Sequence, residues 1–345
     1  MLAVLAREGS DAFRQWKRRE FITLLGRAAA AWPLAARAQQ GEQVRRVGVL
    51  MNGNERDPVY QAYVAAFVRS LQQLGWLEGQ NLRIDLRWPS ADPERIGAYA
   101  AELVGLTPNV ILCSGSGSLA ALLRTTSSVK AVFVLVSDPV AQGFVTNLAH
   151  PGGNVTGFSA FEPSTAGKWL DLLKQASPRL TRVAVIFNPD TSPQSKMFVP
   201  AIEASASSLA VEVVAAPVHA TGEFEPLIAS FSRRPNGGLI FPSDPFLTSQ
   251  RGLILELVAR YRLPAVYASE TFARNGGLIY YGTDWQNQFR QAAIYVDRIL
   301  KGANPGDLPV QQPTKFPLIV NLAAARALGI ELPTSLLLSA DEVIE

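Results

Sequence analysis

One cysteine, Cys113, and two histidines, His150 and His219, are all that 345 residues supply of the side chains that most readily bind soft metals. A lone cysteine cannot close an intrachain disulfide, and residues so scattered have no metal-ligand spacing. No metal and no cofactor are therefore expected. Nucleophiles are as scarce: Ser116 lacks the G-x-S-x-G frame, because Ser114 and Ser118 stand where the glycines would be. His150 sits in a glycine-proline turn with no nucleophile to serve. No catalytic residue is expected.

A surplus of charge is lacking too, once its location is considered. Of 32 lysines and arginines and 29 aspartates and glutamates, seven basic and three acidic residues fall within residues 1–38, leaving 25 against 26. No helix-turn-helix segment precedes the first strand-helix unit. Nucleic acid is therefore not an expected partner. The basic N-terminus reads instead as an export signal over residues 1–38. Arg18-Arg19-Glu20-Phe21-Ile22 is a twin-arginine pattern, Phe21 to Leu34 is apolar, and Ala36-Arg37-Ala38 is an A-x-A cleavage site that leaves Gln39 as first mature residue. That apolar segment, interrupted by Arg27, is too short to remain as a membrane span. No cysteine stands at the cleavage point to take a lipid. The expected location is the periplasm, reached by a twin-arginine or Sec-type route.

What is present is alternation. Arg46–Met51, Asn81–Trp88, Val110–Cys113, Ala131–Val136 and Asn154–Phe158 read as strands, and Pro58–Leu74, Pro93–Leu106 and Leu119–Thr125 as helices between them. The pattern restarts at Arg182–Phe187, whose "RVAVIF" matches "RVGVLM" at Arg46–Met51. Val211–Ala215, Gly238–Phe241 and Ala265–Ala268 follow at similar intervals. The expected fold is α/β, with two Rossmann-like lobes built on parallel sheets. The first lobe covers 44–160 with a return segment at 283–312. The second covers 161–282 with a C-terminal segment at 313–345.

Ligands of such sheets bind beyond the carboxyl ends of the strands, and polar turn residues gather there. The first half offers Asn52-Gly53-Asn54-Glu55, Ser114-Gly115-Ser116 and Ser137-Asp138-Pro139. The second offers Asn188-Pro189-Asp190-Thr191-Ser192, Ser243-Asp244-Pro245 and Ser269-Glu270. Each is read as preceding a helix, so capping alone would also account for any one of them. Gly115, Gly117 and Ala120 fit G-x-G-x-x-A, with Asp138 about 20 residues on, which leaves an exported NAD(P)-dependent oxidoreductase as the alternative. Against it, the fingerprint falls in the third strand-helix unit rather than the first. A ligand-sensing module for a membrane signalling partner would share the same fold.

Several segments carry a resemblance: "RREFITLLG", "RVGVL", "VSDPVAQGFVTNLAHPGGNVTGFS" (136–159), "IFNPDTSPQS" and "ILKGANPGDLPVQQPTKFPLIVNLAAARALGIELP" (299–333). From about Arg18 to the C-terminus the chain resembles the ABC transporter substrate-binding protein family, in its branch of tryptophan and aromatic amino-acid receptors. The resemblance implies a type I periplasmic binding fold with a multi-strand hinge and a small ligand between the lobes. It also implies an ABC permease of the inner membrane as partner. Carried over by position, it places Asn52, Gly53, Ser114, Gly115, Ser116, Ser137 and Asp138 on the first lobe's side. Asn188, Ser192, Asp244 and Glu270 fall on the second, with Asp284 near the return crossing.

Chemistry suggests roles for these residues. Ser114, Ser116 and the N–H groups opening the following helix suit a carboxylate. Asp244 and Glu270 are the candidate partners for a ligand ammonium. Tyr60, Phe161, Trp169, Tyr267, Phe272 and Trp285 could form an apolar wall, and each could equally be core. The expected ligand is a small carboxylate, with amino acids, aromatic ones included, as the leading class.

Overall fold

A computed structural model describes residues 44–90, 92–160 and 166–345. The proposed export signal and Phe161 lie outside the described residues. The first lobe runs β1 (Arg45–Leu50), α1 (Pro58–Gln73), β2 (Leu82–Arg87), α2 (Pro93–Gly105), β3 (Val110–Ser114), α3 (Ser116–Thr125), β4 (Ala131–Val136) and β5 (Val155–Ser159). Its strands pair in the order β2-β1-β3-β4-β5, and every pairing is parallel.

Alternation explains why these strands read as unbroken apolar runs. Val47, Val49, Val110 and Leu112 face one side, with Phe67 and Leu71 of α1; Leu50, Ile111, Cys113 and Phe133 face the other, with Leu103 and Leu122. Both sides of the sheet are covered, so both phases of each strand must be apolar. Cys113 is wholly buried, and burial raises its thiol pKa.

The second lobe repeats the scheme with α4 (Gly167–Ala176), β6 (Arg182–Phe187), α5 (Phe198–Leu209), β7 (Glu212–Pro217), α6 (Phe224–Ser232), β8 (Gly237–Phe241), α7 (Pro245–Ser249), α8 (Arg251–Arg260), β9 (Ala265–Tyr267), α9 (Glu270–Arg274) and β10 (Ile279–Tyr281). The order β7-β6-β8-β9-β10 mirrors the first lobe. In each sheet the strand order reverses beside the first strand, which opens a crevice at the carboxyl edge.

The rest of the chain ties the lobes together. Helix α10 (Trp285–Leu300) returns to the first lobe, where Phe289, Ala292, Ala293 and Val296 pack under its sheet. The buried Gln288 side chain donates to the Ser159 carbonyl and accepts from Leu135 N, fixing α10 to β4 and β5. Strand β11 (Leu318–Asn321) then joins the second sheet antiparallel to β10. After α11 (Leu322–Leu328) and α12 (Thr334–Ser339), β12 (Glu342–Ile344) pairs parallel with β11. The first lobe's last described residue before the second is Ala160, the second lobe opens at Ala166, and the chain passes between lobes again at 282–285 and 311–317.

Two local expectations are corrected. Helix α3 opens at Ser116, not Leu119. Ser137-Asp138-Pro139 does not open a helix: Asp138 has φ +39° and its Oδ1 accepts from Ala141 N, holding a turn. Among the described residues, no helix is long and apolar enough to cross a membrane. No group of three or more His, Cys, Asp or Glu there is placed to hold a metal.

Candidate functional site

The carboxyl ends of the two sheets face a cleft, the place where sheets of this kind bind ligands. From the first lobe, Asn52, Gly115, Ser116, Ser118 and Ser137 line it, with Ile96 and Leu135 as apolar neighbours. From the second, Thr191, Ser192, Gln194 and Ser243 line it with Trp169, Phe198 and Pro245, and Trp285 joins them from the start of α10. Among the described residues lining the cleft, none carries a charge.

The first wall is built around the start of α3. Gly115 is its N-cap with φ +85° and ψ 156°, a conformation that only glycine adopts freely, and no side chain caps the helix. The N–H groups of Ser116, Gly117 and Ser118 precede the first intrahelical bond, Leu119 N to Gly115 O at 3.1 Å. A Cβ at Gly115 would stand 2.7 Å from Asn52 Nδ2, so the glycine also lets that amide approach the helix end. Ser114 Oγ donates to Asn52 Oδ1 at 2.9 Å, which fixes the amide with its nitrogen beside Gly115. Gln142 Nε2 donates to Ser116 Oγ at 3.1 Å, so the Ser116 proton is available to another acceptor. This wall presents donors.

The second wall differs. Asp244 is 1% exposed and caps α7, its Oδ1 accepting from Phe246 N (2.8 Å), Leu247 N (3.3 Å) and Thr191 Oγ1 (2.9 Å). Its Oδ2 accepts from Asn188 N at 2.8 Å. Burial pushes its carboxyl up to about 6, against these four hydrogen bonds, which pull it down. Ser192 Oγ donates to the Ser243 carbonyl at 3.3 Å and accepts from Gln194 Nε2 at 3.2 Å.

Among the described residues, one ion pair joins the lobes. Arg251 Nη1, at the start of α8, donates to Asp57 Oδ2 at 2.7 Å, and Asp57 Oδ1 caps α1 through Val59 N.

Of the residues expected from sequence, Asn52, Gly115, Ser116, Ser137 and Ser192 come together on the cleft. Gly53 and Ser114 lie behind it. A Cβ at Gly53 would fall 2.3 Å from the Tyr60 ring, and Ser114 supports Asn52. Asp138, Asn188, Asp244 and Glu270 are not among its lining residues; Asn188 holds the turn through Asp190 N and Thr191 N, and Glu270 pairs with Arg274 at 2.5 Å. Asp284 caps α10 through Asn287 N. Of the apolar candidates, Trp169 and Trp285 line the cleft. Tyr267 and Phe272 stack at 4.6 Å in the second lobe's core, and Tyr60 is buried in the first. Sequence reasoning missed Gln194, Phe198, Ile96 and Leu135. Gln194 lies two residues after the Asn188–Ser192 turn, within the segment "IFNPDTSPQS", and that nearness was the one signal for it.

Comparisons with known proteins place these features in context. The sequence model of the family described as ABC transporter substrate binding protein matches residues 47–344. A curated tyrosine-binding protein of Clostridioides difficile (strain R20291) is 26% identical over 265 residues, covering 77% of this chain and 76% of that one. Among solved structures, an ABC domain from Streptococcus pneumonia in complex with L-Trp superposes with a TM-score of 0.80 at 22% identity, over 87% of this chain and 99% of that chain. The ligand-free, open structure of a substrate binding protein with adhesive properties from Clostridium difficile gives 0.65 at 25% identity, over 88% and 99%.

Proposed function

The chain belongs to the ABC transporter substrate-binding proteins, and on that premise we propose that it is the periplasmic receptor of an importer whose lobes close on a small aromatic carboxylate of the amino-acid class. The observation that carries this reading is the uncapped start of α3, with Asn52 and Ser116 beside it, facing Trp169, Phe198 and Trp285 across the cleft. A carboxylate at a helix N-terminus gains the unpaired N–H groups and the favourable end of the helix dipole. The three aromatic side chains supply the apolar contact that a ring requires. The name of the tyrosine-binding relative supports an aromatic amino acid as ligand. Binding of this kind needs no nucleophile, base or metal, in keeping with a family of binding proteins. The partner in this reading is an ABC permease of the inner membrane.

A thermal-shift screen tests it, using aromatic and other amino acids, small carboxylates, sugars and NAD(P). A ligand at about a thousand times its Kd adds on the order of 4 kcal/mol, which moves the melting temperature by several degrees. The expected result is a shift with aromatic amino acids. A shift confined to sugars or to NAD(P) would overturn the reading.

A further inference from the structure

Gln194 lines the cleft from the second lobe, and its Oε1 is buried with no hydrogen-bond partner. Which atom of the amide is the unpaired one follows from a chain of obligate roles. The Ser243 carbonyl can only accept, so the single Ser192 hydroxyl proton goes to it, at 3.3 Å. Towards Gln194, Ser192 Oγ can then only accept, at 3.2 Å. The atom facing it must be the amide nitrogen, and the oxygen is left as an acceptor in a wall that is otherwise largely hydroxyl and aromatic. Buried acceptors are nearly always paired in folded proteins, so this one calls for a donor from outside the chain.

The opposite wall offers donors to a carboxylate, and the acids in reach of the second wall are already engaged. Asp244 is filled by four hydrogen bonds, and Glu270 is held by Arg274. We propose that Gln194 is a specificity-determining residue of the second lobe, its neutral amide oxygen accepting from the ligand's ammonium while the first lobe holds the carboxylate. This rests on the receptor reading above and deepens it: the ligand lies across the cleft, and its cationic end is met by a neutral oxygen instead of a side-chain carboxylate. Among the described lining residues no charged side chain competes for either end.

Calorimetry on the full chain separates the possibilities, with L-tryptophan and L-tyrosine as probes and their des-amino forms, indole-3-propionate and 3-(4-hydroxyphenyl)propionate, as controls. Gln194→Met should weaken the amino acids by about tenfold to a hundredfold, the range for a lost hydrogen bond to a charged group. It should leave the des-amino acids within about twofold, since they never make the bond. Gln194→Glu should strengthen the amino acids and weaken the des-amino acids, because a carboxylate attracts the ammonium and repels an anion without one. Equal changes for both members of a pair, in either variant, overturn the role of Gln194 and leave the receptor reading intact. Wild-type protein that binds neither member overturns the receptor reading and this inference with it. Unchanged far-ultraviolet circular dichroism shows that each variant is folded.

Discussion

After the third strand of each sheet the chain turns into a helix, and the two lobes treat that helix start in opposite ways. In the first lobe Gly115 leaves the start of α3 without a side-chain cap, and Ser116, Gly117 and Ser118, whose N–H groups precede the first intrahelical bond, line the cleft. In the second lobe Asp244 places its own carboxylate on the start of α7, and Pro245 removes one N–H altogether. One helix end is open to an external anion; its counterpart is occupied by an internal one. A pseudo-symmetric fold thereby obtains a polar axis, with donors on one wall and, on the other, an acceptor at Gln194 among aromatic rings. A ligand with a carboxylate at one end has one orientation available.

The sharpest way to break this comparison is to make the first lobe resemble the second. Gly115→Asp would place an anion on α3 and force an aspartate into a backbone region that is essentially reserved for glycine, at a cost of about 1–3 kcal/mol. Carboxylate affinity should fall more than about a hundredfold by calorimetry, because the ligand then meets a like charge where it had free N–H groups. Next in size is the apolar wall. Trp285 is 4% exposed and lines the cleft, and Trp285→Ala should lower affinity for an aromatic ligand by about tenfold to a hundredfold. An aliphatic carboxylate should lose less, and equal losses would place the ring elsewhere.

The occupied helix end has its own signature in pH. Asp244 titrates at about 6 in the folded chain against an ordinary value of 3.8, so between these values the folded state holds the extra proton. Its contribution to stability is therefore full below about pH 4 and is lost as the pH rises through 6. In Asp244→Asn that dependence disappears. The stability advantage of wild type over the variant should shrink by on the order of 2–3 kcal/mol from pH 4 to pH 7, measured by denaturant unfolding. A gap that is constant with pH would mean the carboxyl is not raised.

The smallest effect concerns the link between lobes. Asp57 and Arg251 hold the cleft edges together at 2.7 Å, and Arg251→Ala keeps the α1 cap that Asp57 also supplies. Losing a partly buried pair of this kind costs about 1 kcal/mol, so affinity should fall about fivefold with the ligand-free lobes shifted towards opening. Small-angle scattering of the ligand-free variant should show a larger radius of gyration than wild type. An unchanged radius and affinity would make the pair irrelevant to closure.

The fold was legible because both phases of each parallel strand are buried, so "RVGVL", "VILC", "AVFVLV" and "RVAVIF" stand out as apolar blocks between helical stripes. The first wall was legible in part for a related reason: Asn52, Ser116 and Ser137 occupy strand ends where the fold puts ligands. The acids were misleading, since Asp244 and Asp284 look like ligand partners in sequence and serve as caps in space. Gln194 was legible only through its nearness to the Asn188–Ser192 turn. Its side chain has no capping signature, and its role depends on a proton direction set by Ser192 and Ser243, 51 residues apart. Phe198 and Trp285 reach the cleft from different lobes' helices, a juxtaposition that the return of α10 to the first lobe creates.

Calorimetric titration with L-tryptophan and with tryptamine, which keeps the ring and ammonium but lacks the carboxylate, tests the central claim most directly. If the open end of α3 holds the ligand's carboxylate, tryptophan binds and tryptamine is weaker by about a hundredfold or more. Tryptamine binding as tightly as tryptophan would contradict the assignment of the first wall as the anion site.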